Sequence, residues 1–268
     1  MTHPALVNRE TTLKPPLKWA GGKRWLVPVL EKLWHNTKAK RLVEPFCGGL
    51  AVCLGLKPEQ ALLNDVNPHP INFYKQLQKG LQVKIALRNE RVLYDAHRAD
   101  FNRIIQGHHR DTKKAASLFY YLNRTGYNGL CRFNQKGLYN VPFGRHERIN
   151  YQRDFSNYQQ TLTQWAFQCG DFETIALEAD DFVYADPPYD VEFRQYSVGG
   201  FDWSSQERLV AWLGEHTGPV VLSNQATPRV IELYQQFRFK IRYLDAPRMI
   251  SCNGDRTKAR EVLATRNL

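Results

Sequence analysis

The run Phe182-Val183-Tyr184-Ala185 passes directly into Asp186-Pro187-Pro188-Tyr189. Such an apolar run reads as a buried strand. Consecutive prolines cannot continue it, because each lacks a backbone donor and fixes its own φ. The chain must therefore leave the sheet as a stiff loop right after Asp186. This puts a carboxylate, free carbonyls and an aromatic ring at a strand's carboxyl end, the edge where open α/β sheets bind ligands. Ionised Asp186 and the Pro187 carbonyl can only accept hydrogen bonds. They suit a substrate amine with two hydrogens to give, and Tyr189 offers a face on which a ring can stack. An exocyclic amine of a nucleobase meets both demands. A surface loop stopped by prolines is the plainer reading of these residues alone, so the rest of the chain has to decide.

Charge narrows the partner. The 268 residues carry a formal net charge of +11, and an excess of this size attracts polyanions, nucleic acid first. Lys and Arg recur through 98–153 among Tyr, Phe and Asn, a mixture suited to phosphates and bases. The five cysteines (Cys47, Cys53, Cys131, Cys169, Cys252) contain no Cys-x-x-Cys. That argues against a disulfide framework and a zinc site. His108-His109-Arg110 reads as a solvated loop, and no metal is expected. No apolar run has the length of a membrane span and no signal peptide is visible. The expected setting is the cytoplasm, at the nucleoid, in a bacterial or phage context, with no membrane and no obligate protein partner.

Along the chain, 1–13 reads as a loose arm. Leu17-Lys18-Trp19-Ala20-Gly21-Gly22-Lys23 combines close backbone approach, a stacking face and charge, without Walker spacing. Residues 24–35 read as a helix. Arg41 to Gly49 is a strand running into a glycine loop, a helix follows through Leu56, and Ala61 to Asp65 is a second strand ending on an acid. This is the layout of a nucleoside-binding half-sheet, with Asp65 where such folds hold a ribose, although the glycines do not form GxGxxG. From 67 to about 122 the spacing of Leu77, Leu81, Ile85, Phe101, Ile104 and Ile105 is helical, which breaks the alternation and predicts an inserted subdomain. Asn123 to Gly144 predicts a β-hairpin. Its Tyr127, Asn128, Leu130 and Arg132 could enter a DNA groove, since Arg reads guanine and an apolar side chain can wedge between base steps. After 154 the α/β pattern returns: a strand end at Gln168 to Phe172, a helix from Ser204 to Leu213, a strand from Pro219 to Asn224, and a helix from Arg229 to Phe237. Two strands then flank the polar loop Ser251 to Arg256.

Taken together, Lys18 to Lys23, Glu44-Pro45-Phe46-Cys47-Gly48-Gly49, Asn123 to Asn134 and Asp186 to Tyr189 resemble the Dam-type family of DNA adenine methyltransferases, in the family's order and over Leu17 to Leu263. The resemblance implies a Rossmann-like methyltransferase sheet, catalytic over 14–66 and 154–268. It also implies a helical DNA-binding insert over 67–153 carrying the β-hairpin. It implies S-adenosylmethionine as donor, S-adenosylhomocysteine as product, duplex DNA as partner and a flipped target adenine. Trp19, Lys23, Asp65 and Asp186 match cofactor contacts, and Phe46, Asp171 and Phe172 line the adenosine pocket. Lys18, Tyr127, Asn128, Leu130, Arg132 and Pro142 match positions that touch DNA, and the 123–132 segment looks like members that recognise GATC. One departure is Cys47-Gly48-Gly49-Leu50, where members often place a small residue between two glycines.

The expected chemistry uses Asp186 and the Pro187 carbonyl to accept the two amino hydrogens of adenine while Tyr189 stacks on the flipped base. A cytosine N4-methyltransferase would use the same chemistry. A non-catalytic DNA-binding module would explain charge and hairpin, but leaves the nucleoside-type loops and the proline loop unexplained. An RNA substrate suits a groove-entering hairpin less well.

Overall fold

The structure is a computed structural model that describes residues 13–107, 111–189, 201–246 and 259–268. The N-terminal arm, the His108-His109-Arg110 loop and the Ser251 to Arg256 loop lie outside the described residues.

Strands β1 (Arg41–Glu44), β2 (Gln60–Asp65), β3 (Trp165–Cys169), β4 (Phe182–Ala185), β5 (Val220–Gln225), β6 (Lys240–Ala246) and β7 (Ala259–Arg266) form one sheet in the order β3-β2-β1-β4-β5-β7-β6. The pairs from β3 through β5 are parallel, and β7 is antiparallel to both of its neighbours. The period-2 pleat sends alternate side chains to opposite faces. Leu42, Leu63, Tyr184, Val221 and Leu263 join one apolar cluster; Val43, Val183, Leu222, Val262 and Ala264 join the other. Both faces are therefore covered, which explains why β4 and β5 read as continuous apolar runs. The first face carries α1 (Val27–His35), α2 (Ala51–Leu56) and α3 (Pro68–Gln78). The second carries α4 (Trp203–Glu215) and α5 (Pro228–Gln236).

The helices between β2 and β3 continue the first cluster outward. Helices α6 (Arg91–Gln106) and α7 (Lys113–Thr125) pack on each other, and α3 packs on α7 while also touching β2 and β3. Phe101 and Phe119 belong to the same cluster as Leu42 and Leu63, so the core runs unbroken from sheet to insert.

The segment expected as a β-hairpin doubles back, but as two irregular legs rather than a regular ladder. Asn123 to Thr125 complete α7, and Tyr127–Gly129 is a 3-10 turn. The legs meet at isolated bridges, Gly126 to Phe143 and Phe133 to Tyr139. Side chains replace the missing rungs: Asn102 donates to the Tyr139 carbonyl at 3.1 Å and accepts its N–H at 2.8 Å. Asn134 Oδ1 accepts the N–H groups of Lys136 and Leu138. With these partners elsewhere satisfied, no continuous ladder is needed.

The sheet's strand order reverses between β1 and β4. From β1 the chain goes outward to β2, and from β4 it goes the opposite way to β5. Such a switch point opens a crevice at the strands' carboxyl ends. Glu44, Asp65, Cys169 and Asp186 all lie at that edge. So does Glu261, because antiparallel β7 begins where β5 ends and Glu261 pairs with Gln225.

Candidate active site

Around the crevice the first element is the glycine loop after β1. Gly48 has φ +44°, and a Cβ there would stand 2.6 Å from Trp19 Nε1; one on Gly49 would stand 2.7 Å from Trp19 Cβ. The two glycines thus let the indole of Trp19 lie against the loop's backbone. Cys47 N–H donates to the Asn64 carbonyl, Asn64 Nδ2 donates to the Pro45 and Gly170 carbonyls, and Tyr74 Oη donates to the Gly48 carbonyl at 2.6 Å. Leu50, which closes the loop, takes φ +61° and is fully buried.

At the end of β2, Asp65 accepts the N–H of Gly48 at 3.2 Å and of Asn67 at 2.9 Å. Burial pushes its carboxyl up to about 6, against the pull of those two donors. Phe46, Phe172 and Phe201 make a ring cluster, with Phe46 to Phe172 at 5.9 Å and Phe46 to Phe201 at 5.4 Å between centroids. Asp171 is differently placed: its side chain caps the N–H of Glu173 and pairs with Arg208 at 2.9 Å, on an exposed surface.

The proline loop closes the crevice. Lys23, 4% exposed, holds its ammonium 3.2 Å from Asp186 Oδ1, 3.6 Å from Glu261 Oε2 and 3.2 Å from the Gly21 carbonyl, and it also meets the Tyr189 hydroxyl. One cation therefore serves two carboxylates. Desolvation raises the Asp186 carboxyl above its ordinary range, opposed by Lys23 and by the Ser223 hydroxyl. Desolvation, then Asp186, keeps the Tyr189 phenol well above its ordinary value. Gln206 on α4 donates to the Pro188 carbonyl at 2.9 Å and is itself held by Asn224. Among the described residues no donor reaches Asp186 Oδ2 or the Pro187 carbonyl.

The insert meets the N-terminal loop across a tight seam. Asn123 Nδ2 donates to the Lys18 carbonyl and its Oδ1 accepts the Lys18 N–H, both at 2.8 Å. Gly129, at φ +64°, packs so closely that a Cβ would sit 2.4 Å from Lys18 Cβ. Lys18 Nζ donates to the Arg124 carbonyl at 2.9 Å and lies 3.2 Å from His146 Nε2. Desolvation, then the Arg124 charge, pushes its amine down to about 8. Tyr127 N–H donates to the Pro142 carbonyl at 2.9 Å, and Asn128 takes a left-handed φ of +51°, which Asn tolerates. Tyr127, Arg132 and Pro142 are exposed and Leu130 is half-buried. The Arg132 guanidinium rests on Asn140, with Nε 2.9 Å from Oδ1.

The structure thus brings Trp19, Lys23, Phe46, Asp65, Phe172, Asp186, Pro187 and Tyr189 to one crevice, and Lys18, Tyr127, Asn128, Leu130, Arg132 and Pro142 to the adjoining seam and legs. Sequence reasoning missed Glu261, Ser223, Phe201 and Asn123. The signals for the first two are slight: an acid opening the apolar run Val262 to Ala264, and a Ser-Asn pair ending Val220 to Leu222. Among the described residues no group of His, Cys, Asp or Glu could hold a metal, and no helix is long and apolar enough to cross a membrane.

Comparison with known proteins assigns the class. The family model for the D12 class of N6 adenine-specific DNA methyltransferases matches residues 19–250. The chain is 34% identical to the retron Ec67 DNA adenine methylase of Escherichia coli, over 92% of this chain and 90% of that one. It is 35% identical to a DNA adenine methylase of Vibrio cholerae serotype O1, over 92% and 94%. It is also 36% identical to the DNA N-6-adenine-methyltransferase of Escherichia phage P1, where the match spans 92% of this chain but 34% of the phage protein. A crevice at the switch point, an Asp-Pro-Pro-Tyr loop within it and relatives of this closeness lead to one conclusion: the chain belongs to the D12 class of N6 adenine-specific DNA methyltransferases, and is a DNA adenine methyltransferase.

Proposed function

We propose that this enzyme methylates N6 of adenine in duplex DNA at GATC, taking the methyl group from S-adenosylmethionine and extruding the target base into the crevice. The observation that carries the reading is the state of Asp186: a carboxylate at the end of β4 whose Oδ1 is occupied by Lys23 and Ser223 and whose Oδ2 faces no described donor.

The residues at the edge fit the cofactor. The desolvated Asp65 carboxylate suits ribose hydroxyls, Phe46 and Phe172 suit the adenine ring, and the buried Lys23 ammonium suits the amino-acid carboxylate. Trp19, packed on Gly48 and Gly49, walls the same space. Asp171, engaged with Arg208, would contribute at the rim. When bound, the cofactor supplies an electrophilic methyl on a sulfonium. No metal is called for, because that positive charge activates the methyl group.

The chain's own work is positioning. An adenine amino group is a weak nucleophile, since its lone pair is delocalised into the ring. Asp186 Oδ2 and the Pro187 carbonyl accept its two hydrogens and favour a pyramidal nitrogen with its lone pair directed outward. Tyr189 stacks on the extruded ring. Asp186 need not take a proton before attack; the product's proton can leave afterwards.

Lys18, Tyr127, Asn128, Leu130, Arg132 and Pro142 read and part the duplex. Arg132 has the donor fork for guanine, and Tyr127 or Leu130 the bulk to fill the space a flipped base leaves. The test is to incubate the protein with S-adenosylmethionine and unmethylated plasmid DNA and map modified bases. N6-methyladenine confined to GATC is expected. Methyladenine in another motif would keep the mechanism and overturn the assignment of Arg132 and its neighbours. Methylcytosine would overturn the target base.

A further inference from the structure

We infer that Ser223, braced by Tyr184, is a positioning residue for the methyl-transfer step: it fixes the orientation of the Asp186 carboxylate so that its second oxygen faces the substrate amine. The inference rests on Asp186 accepting from that amine, as proposed above. Ser223 is 1% exposed and sits on β5, beside β4 and its proline loop. Its hydroxyl donates to Asp186 Oδ1 at 2.8 Å. It also lies 2.9 Å from the Tyr184 hydroxyl, itself buried at 2% exposure.

The proton count orders this chain. Ionised Asp186 only accepts, so the single Ser223 proton points at Oδ1. Tyr184 must then be the donor to Ser223 Oγ. Burial, then the Asp186 charge, keeps the Tyr184 phenol well above its ordinary value, so that proton stays in place. The result is a one-way relay, Tyr184 to Ser223 to Asp186.

The relay matters because a carboxylate's terminal torsion is broad and nearly two-fold. Lys23 alone does not hold it, since its ammonium is shared with Glu261, the Gly21 carbonyl and Tyr189. With Ser223 and Lys23 both on Oδ1, Oδ2 is left for the substrate. Among the described residues, the charged and titratable groups facing Asp186 are Lys23 from the N-terminal loop, Glu44 from β1, Tyr184 from β4, Tyr189 from the proline loop and Glu261 from β7. Of these only Lys23 favours the Asp186 charge, so loss of the Ser223 donor moves the carboxyl toward its neutral form.

The experiment measures kcat, KM for duplex DNA and the pH profile of kcat for wild type, Ser223→Ala, Ser223→Thr and Tyr184→Phe. Ser223→Ala is expected to lower kcat about 10-fold to 100-fold, the loss of one charge-assisted hydrogen bond, with KM nearly unchanged. Its acid limb should move to higher pH, because Asp186 must be ionised to accept. Ser223→Thr should restore both, since it keeps the hydroxyl. Tyr184→Phe should fall between wild type and Ser223→Ala, and should cost nothing further in the Ser223→Ala background. A Ser223→Ala enzyme with wild-type kcat and acid limb would overturn the inference, as would a loss confined to KM. If Ser223→Ala is too unstable to assay, Tyr184→Phe with unchanged kcat and acid limb would overturn it in the same way. A wild-type enzyme that methylates no adenine would instead strike the reading on which the inference rests.

Discussion

At the scale of single residues the site is governed by who holds each carboxylate. Asp186→Ala removes an oriented acceptor and leaves Lys23 to Glu261. Turnover on duplex DNA should fall by roughly 100-fold or more, read in a single-turnover assay with saturating cofactor. Asp65 sets a pH dependence. Its carboxyl lies raised to about 6 by burial. Above that value it is charged and can accept from ribose hydroxyls; as pH falls through it, the charged acceptor disappears. Cofactor affinity should therefore weaken on acidification through about 6. Asp65→Asn should bind more weakly at neutral pH and lose that dependence, as calorimetric titration would report. Arg132 rests on Asn140 and must be released to reach a base. Arg132→Ala should cost about 1–3 kcal/mol on the preferred site and relax the choice at a single base pair. Equal losses on every sequence would make it a phosphate contact.

At the scale of elements, the seam between the N-terminal loop and the insert is the part least expected from the motifs. Lys18 and Asn123 stand in separate motifs, yet two amide hydrogen bonds join them, with Asn123 fully buried. Asn123→Ala strands both Lys18 backbone groups. It should destabilise the fold by about 1–3 kcal/mol in denaturant melts and weaken DNA binding through Lys18. The two irregular legs also depend on their neighbour. Asn102 on α6 satisfies both backbone groups of Tyr139. The alternation of residues from 123 to 144 correctly signals a chain doubling back. It does not reveal that a helix side chain takes the place of ladder hydrogen bonds.

At the scale of the molecule, a crevice assembled from β1, β2, β4, β7 and the N-terminal loop should tighten on ligand binding. S-adenosylmethionine at about 100 times its Kd should add roughly 2.7 kcal/mol of stability, read as a rise in Tm. A pure binding module would show no such rise. The charge of +11 predicts a DNA affinity that falls linearly on a log–log plot against salt. An affinity indifferent to salt would contradict phosphate binding by the basic insert.

Much of this molecule is legible in its sequence. The strands from β1 to β5, most of the helices between them, the glycine loop and the Asp-Pro-Pro-Tyr loop follow from periodicities and breakers a few residues long, since burial on a pleat or helix repeats at that spacing; the short helix Ser156–Leu162 does not. Trp19, Lys23, Asp65 and Asp186, which stand in short motifs, come together at the crevice. Tertiary structure decides the rest. Asp171, which the family resemblance groups with the cofactor residues, pairs with Arg208. Glu261 reaches the crevice because β7 inserts antiparallel between β5 and β6, which turns its first residues toward the carboxyl edge. Ser223 meets Asp186 because β5 lies beside β4. No local pattern encodes those neighbours. They come from pairing between strands far apart in the chain, where the free energy is gained by burying both sheet faces at once.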